Sequence, residues 1–301
     1  MSTATSSARG IAAMLFATAS YVVCDTLMKL AMLQGALPPF EVLFVRGIFA
    51  VICCAALVLL LGQWRNVHRG FSTASLARAG FETASVLCYI VALSAMAIAD
   101  VIAIVQTAPL LFILLVATIG RERIGAGRIA LIAAGFVGAL LVAQPDASGF
   151  SAAALLAFAS ALGLAFRDVA GRKVSAAIPA LVATLATNIV VLVVSGIGMV
   201  ATETFVMPTT KHALFLLGSG FFVTLGHFGV FMAYRLGAPG VIAPFFYSFA
   251  VWAVLSGLIV FGELPNPLAL VGIATIVASG LGIILIDRRS RARRLAPAIP
   301  E

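Results

Sequence analysis

Ten apolar runs of close to twenty residues each, joined by short polar or basic connections, dominate this sequence. They fall at about 11–31, 41–61, 75–95, 99–119, 126–143, 151–168, 179–200, 212–234, 240–261 and 267–286. About 20 apolar residues cover the roughly 30 Å of a bilayer's hydrocarbon as a helix. A backbone in lipid must satisfy its own hydrogen bonds, which leaves helices and closed barrels as spanning structures. Barrel strands alternate apolar and polar residues, whereas these runs are continuously apolar and rich in Ala, Leu and Gly. The expected fold is therefore an all-α integral membrane protein with ten transmembrane helices. Only 10% of the residues are charged, against about 25% in a soluble domain, so the chain has too little polar surface to stay wet on all sides.

The net charge of +8 does not point to a nucleic-acid partner, because the basic residues sit in clusters between the apolar runs. Arg9, then Arg65, Arg69 and Arg78, then Arg121, Arg123 and Arg128, then Arg167, Arg172 and Lys173, then Arg235, and finally five Arg from Arg288 to Arg294 all fall on one side of a ten-span topology. Of the 19 basic residues, that leaves Lys29, Arg46 and Lys211 on or near the other side. Positive charge is retained on the cytoplasmic face, so both termini are expected there, in a multi-pass protein of the inner membrane. The stretch before the first run carries only Arg9, and that run reads as an uncleaved span rather than a signal peptide. Cys24, Cys53, Cys54 and Cys88 all lie within apolar segments without metal-ligand spacing, as buried free thiols would.

The chain also repeats itself. Asp100-Val101-Ile102-Ala103 opens an apolar run that ends at Gly120-Arg121-Glu122, and Gly240-Val241-Ile242-Ala243 opens one that ends at Phe261-Gly262-Glu263. Phe16-Ala17-Thr18-Ala19 matches Phe158-Ala159-Ser160-Ala161 at an offset of about 142, close to the offset of the other two matches. Each copy holds five spans. An odd number makes the second copy enter the bilayer from the opposite side, giving two inverted five-helix repeats, residues 10–143 and 149–287, followed by a basic cytoplasmic tail at 288–301. Inverted repeats are a recurring frame for alternating access around a midplane site.

With these features on the page, the chain resembles the EamA family of the drug/metabolite transporter superfamily over about residues 10–287. The resemblance rests on the duplicated five-helix unit, on Gly120-Arg121-Glu122 and Gly262-Glu263, on Pro109 and Pro244 in the fourth and ninth spans, and on Arg46 in the second. It implies a secondary transporter of small organic solutes with no bound cofactor, for which a monomer suffices and a homodimer is optional. The abundance of aromatics resembles the aromatic amino-acid exporters of the YddG type. Amino acids or similar amphiphilic metabolites are thus the first expectation, with nucleobases, cofactors and drug-like cations as the alternative. The resemblance makes the glutamates of the signature marks of the fold rather than catalysts.

Ionisable and polar groups inside the spans are the candidates for substrate contact, because exposing them to lipid is costly. Glu82, Val86 and Tyr89 share one face of the third helix, with Arg46 as the basic partner available to Glu82. His227 shares a face with Phe231 and Tyr234. Gln106 lies beside Pro109, and Tyr247 and Ser248 lie beside Pro244. Phe245, Phe246, Tyr247, Phe249 and Trp252 offer an apolar wall. The expected substrate-binding set is Glu82, Tyr89, Gln106, His227, Phe231, Phe245, Tyr247, Ser248 and Trp252, with no catalytic or metal-ligating residue. Asp25 with Lys29, and Arg167 with Asp168, read as interfacial or snorkelling groups near helix ends. Most glycines, Gly135, Gly138, Gly280 and Gly282 among them, read as helix-packing positions.

A membrane enzyme would group acids, His or a nucleophile at one depth. Here they are scattered, and neither His-x-x-x-His nor Gly-x-Ser-x-Gly occurs. A selective channel would show a repeated filter or a ring of charge, and there is no phosphate-cradling loop for an ATPase. The expected partners are a small organic solute and membrane lipid.

Overall fold

The computed structural model describes residues 2–120, 125–144, 150–175 and 177–295. Among them, ten helices are long and apolar enough to cross a membrane. They are α1 (Ala8–Gly35), α2 (Pro39–Leu60), α3 (Thr73–Ala95), α4 (Ile98–Ile119), α5 (Ala126–Ala143), α6 (Ala152–Gly171), α7 (Ala180–Thr202), α8 (Thr210–Leu236), α9 (Ala243–Phe261) and α10 (Pro267–Ile286). Each begins and ends within a few residues of an apolar run in the sequence. Helical structure starts already at Ser2 before α1 and continues to Leu295 after α10. Arg121, Glu122 and Arg123 of the basic signature lie outside the described residues, as do 296–301 of the tail. Leu60, Ile119, Val200 and Ile259 stand exposed on the outside of the bundle, where acyl chains are their natural solvent.

Packing between the halves follows a two-fold rule. α1 lies against α8 and α3 against α6; α5 lies against α10, α2 against α7 and α4 against α9. Moving every helix five places along the chain converts the first contact into the second and returns each of the other three to itself. The secondary contacts obey the same exchange: α2 with α8 answers α3 with α7, and α4 with α6 answers α1 with α9. This is the packing of two five-helix repeats related by an axis between them. Because each repeat has an odd number of spans, the axis lies in the plane of the membrane.

Two spans break where their prolines demand it. In α4, Pro109 lacks an N–H and its ring crowds the carbonyl four residues back. The helix stops at Val105, tightens so that Thr107 N donates to the Ile104 carbonyl at 3.0 Å, and resumes at Ala108. The Thr107 hydroxyl also donates to the Ile104 carbonyl, at 2.7 Å. Pro244 produces a 3-10 turn over Ala243–Tyr247, where the Ser248 hydroxyl donates to the Phe245 carbonyl at 2.6 Å. Each proline leaves the carbonyl four residues back without its helical donor, and the two hydroxyls bond carbonyls within the adjoining tight turn. The repeat offset of about 140 lays one break upon the other. A widened π turn, Gly257–Phe261, then ends α9 at Gly262, whose φ of +67° suits a residue without a Cβ.

Between α5 and α10 the helices approach backbone to backbone. A Cβ added at Gly138 would sit 2.7 Å from the backbone oxygen of Gly272, which has no side-chain freedom to yield. Gly80, on the exposed side of α3, has nothing within 4 Å. Gly138→Ala is therefore expected to destabilise the protein by about 1–3 kcal/mol, the usual cost of overpacking. Gly80→Ala is expected to leave the thermal midpoint in detergent unchanged or to raise it slightly. Equal midpoints for the two variants would contradict the α5–α10 contact.

Candidate functional site

A cavity of about 340 Å³ lies inside the bundle, walled by eight helices, α1–α4 and α6–α9. Only the outlying pair α5 and α10 contributes nothing to its wall. The antiparallel pair α2 and α7 fixes its depth. Gly47 faces Leu192, Gly196 faces the Phe44 ring, and Cys54 Sγ reaches the Leu181 carbonyl at 3.6 Å. These contacts centre near residues 48 and 190, the middle of both helices, so the cavity beside them lies at half depth.

The wall is built in layers. On the side of the basic connections, Glu82 of α3 holds two arginines. Arg78, one turn earlier on the same helix, approaches at 3.1 Å and Arg167 of α6 at 3.4 Å. Arg167 also pairs with Asp168 at 2.7 Å, and Arg78 donates to the Thr187 hydroxyl of α7 at 3.2 Å. The expectation for Arg167 as an interfacial group is corrected: α3 packs against α6, and that packing turns the guanidinium inward to Glu82. Arg46 is not the partner of Glu82. It lies buried on α2, with one guanidinium nitrogen 3.8 Å from Cys24 Sγ and 3.7 Å from Met28 Sδ.

Toward the other face, Tyr89 donates to the Asp25 carboxylate at 2.7 Å. Lys29, one turn beyond Asp25, turns away from it. It donates to the Met96 carbonyl at 2.7 Å, pairs with Glu263 at 3.5 Å and lies 5.1 Å from the centre of the Phe261 ring. Asp25 and Lys29 are both buried, which corrects their reading as snorkelling groups; α3 and α9 reach α1 with partners before lipid or water does. Lys29, Met96 and Glu263 close the bundle beyond the cavity on that face. The aromatic side of the wall joins α1, α8 and α9. The Tyr21 ring meets His227 edge-on at 5.3 Å and Phe249 at 6.2 Å, and Phe249 meets Phe246 at 6.3 Å. His227 Nδ1 donates to the Val223 carbonyl at 2.7 Å, leaving its other nitrogen as an acceptor.

Of the residues expected to bind substrate, the structure brings Glu82, Tyr89 and His227 to this cavity. The other six stand apart from it. Gln106 is buried at the break in α4. Phe231 lies under the guanidinium of Arg235, at 5.6 Å. Phe245 packs with Met14, Ala233 and Ile242. Tyr247 abuts Gly280 of α10, Ser248 bonds Thr18 at 2.8 Å, and Trp252 joins the main apolar core. The 3-10 turn after Pro244 is the common cause for the α9 residues. It rotates Phe246 and Phe249 toward the cavity and Phe245, Tyr247 and Ser248 toward neighbouring helices. Tyr21, Asp25, Arg46, Asn188 and Arg167 line the cavity without having been expected there. Their signal in the sequence was an ionisable, amide or phenol group well inside an apolar run.

A half-depth chamber of polar and aromatic groups inside an inverted repeat is the architecture of a membrane transporter. The chain belongs to the EamA-like transporter family, whose model matches residues 8–144. A riboflavin transporter of Rhizobium johnstonii is 31% identical over 232 residues, 75% of this chain and 72% of that protein. A riboflavin transporter of Vibrio cholerae serotype O1 is 26% identical over 273 residues, 88% of this chain and 89% of that one. A protein of known crystal structure shares the fold with a TM-score of 0.63 at 20% identity, over 96% of this chain and 99% of its own. Family and relatives point to transport rather than catalysis.

Removing the carboxylate charge from a site with two arginines strands them. Glu82→Gln is expected to lower the thermal midpoint in detergent. The loss should stay below the about 3–5 kcal/mol of a fully buried broken pair, since both arginines keep some exposure. Glu82→Asp should lose less. A midpoint equal to wild type for Glu82→Gln would show that the arginines do not depend on it.

Proposed function

We propose that this protein carries a flavin-like solute, riboflavin or a close relative, between the two faces of the inner membrane, its termini on the cytoplasmic side. The cavity supports this reading best. It has the modest size of a small-molecule pocket, of the order of 300–1,000 Å³, and it sets an aromatic wall of Tyr21, Phe246, Phe249 and His227 opposite hydrogen-bonding groups on α2, α3 and α7. A planar heterocycle needs apolar groups against its rings and donors at its carbonyl and ring-nitrogen edge, and this wall holds both kinds of group. The relatives' names agree with that class, which is the cofactor alternative to amino-acid export.

Glu82, Tyr89 and His227 are retained as solute contacts, with Phe246 and Phe249 in place of Phe245 and Tyr247. The reading includes alternating access, the two inverted repeats exchanging conformations about the cavity, with Lys29 paired to Glu263 toward one face and Glu82 paired to Arg78 and Arg167 toward the other. A small zwitterion such as an amino acid is the second reading, favoured by a carboxylate, Asp25, and a guanidinium, Arg46, in the same cavity.

Exchange in proteoliposomes separates the two. Vesicles preloaded with unlabelled riboflavin are expected to accumulate labelled riboflavin in a saturable, protein-dependent burst. Preloading with phenylalanine, tryptophan or leucine should not accelerate it. Counterflow of labelled amino acids without flavin counterflow would overturn the proposal and establish the zwitterion reading.

A further inference from the structure

Arg46 and Asn188 are an unmatched pair of buried donors at the centre of this cavity. Arg46 is 7% exposed and Asn188 6% exposed. Both side chains line the cavity, and Arg46 Nε and Asn188 Nδ2 have no hydrogen-bond partner among the described residues. The guanidinium's own contacts are two sulfur atoms, Cys24 Sγ at 3.8 Å and Met28 Sδ at 3.7 Å, and sulfur is a weak acceptor. The carboxylates of the wall hold other hydrogen-bonding partners: Asp25, which feels the charge of Arg46, accepts from Tyr89, and Glu82 is held between Arg78 and Arg167. Leaving a buried donor unmade costs free energy, most for a charged group. A cation kept this way at half depth is a place where a ligand supplies what the protein withholds.

The geometry also says what the ligand brings. Arg46 and Asn188 sit on α2 and α7 beside the crossing point of those helices, and the α1/α6 repeat offset of 142 carries one onto the other. Because the helices run antiparallel and Gly47 faces Leu192, the two positions differ in depth by about five residues of helix rise, about 7 Å. Anchored at different depths on two helices, the two donors suit separate acceptors. They meet two acceptors along the edge of an extended ring system whose faces lie against the Tyr21, Phe246 and Phe249 rings.

We propose that Arg46 and Asn188 form the acceptor-edge subsite of the transport cavity, each donating to a different carbonyl oxygen or ring nitrogen of a planar heterocycle. The subsite deepens the flavin reading and rests on it. It gives the two repeats one anchoring residue apiece, so a ligand bound to both ties the halves together at their axis.

Binding of flavins to the full-length protein in detergent, followed by isothermal titration calorimetry, tests this. The ligands are riboflavin and analogues in which one acceptor is altered: 1-deaza-, 5-deaza-, 2-thio- and 4-thioriboflavin. Asn188→Ala and Arg46→Gln are each expected to weaken riboflavin binding about tenfold, as loss of one hydrogen bond to a desolvated group does. For each variant the loss should shrink severalfold with at least one analogue, the one that lacks the acceptor facing that residue. A merely structural role would weaken all five ligands alike. Arg46→Lys keeps the charge and should recover part of the affinity; if Arg46→Gln does not yield monodisperse protein, Arg46→Lys and Asn188→Ala carry the test. Wild-type binding with unchanged or uniformly reduced affinity in the variants overturns the subsite and leaves the flavin reading standing. Wild-type protein that binds no flavin overturns both.

Discussion

Hydrocarbon offers no hydrogen-bond partner, and the arrangement of this protein follows from that. The ionisable groups that tie the bundle together find their complements inside it. Glu82 finds Arg78 and Arg167, Asp25 finds Tyr89, and Lys29 finds the Met96 carbonyl and Glu263. The same demand shapes the backbone. At the breaks beside Pro109 and Pro244, the hydroxyls of Thr107 and Ser248 bond the Ile104 and Phe245 carbonyls. Irregular backbone is stable at this depth because it is surrounded by protein, and both breaks are.

These matched groups also join helices that the chain itself does not connect. Lys29 ties α1 to the end of α3 and to the segment after α9. Glu82 ties α3 to α6, and Arg78 extends the link to α7. The contacts of Glu82 and Arg78 with α6 and α7 fall on helix pairs that the two-fold exchange brings together, and the α1–α3 contacts of Lys29 and Asp25 add a link within the first repeat. Lipid tails are as apolar as the helices and give them no hydrophobic reason to associate. Small residues at close approaches, such as Gly138 against Gly272, and internal polar contacts therefore carry much of the specificity.

The ten spans and their inverted order were legible in the sequence because a bilayer imposes one length on every run and the repeat offsets agree across three short matches. The interior was legible in part. Glu82, Tyr89 and His227 could be found as polar groups in mid-span, and they line the cavity. Asp25, Lys29 and Arg167 were placed at the interface because distance from the helix end was the available measure, and helix contacts overruled it. The α9 residues show a different limit. In a regular helix Phe245 shares a face with Phe249, four residues on, whereas Tyr247 and Ser248 do not; the 3-10 turn after Pro244 puts Phe246 in the cavity wall with Phe249 in place of Phe245. Proline announces a break, but the rotation it leaves behind depends on what the following residues pack against.

A symmetric frame does not make a symmetric site. Under the repeat offset of 142, Asp25 falls on Arg167, Arg46 on Asn188, and Thr18 on Ser160. The first two pairs have diverged in charge, while the third has kept its hydroxyl and its place in the helix packing, with Thr18 bonded to Ser248 and Ser160 to Ser85. Such a division follows from the constraint that opened this discussion. Positions that hold helices together tolerate few changes, because an unpaired group in lipid is expensive. Asp25 and Arg167 differ yet each has its own partner in the protein, Tyr89 and Glu82. Arg46 and Asn188 differ and each keeps a donor without one, facing the cavity. The chemistry of recognition therefore collects where the two halves disagree and the protein leaves a donor open.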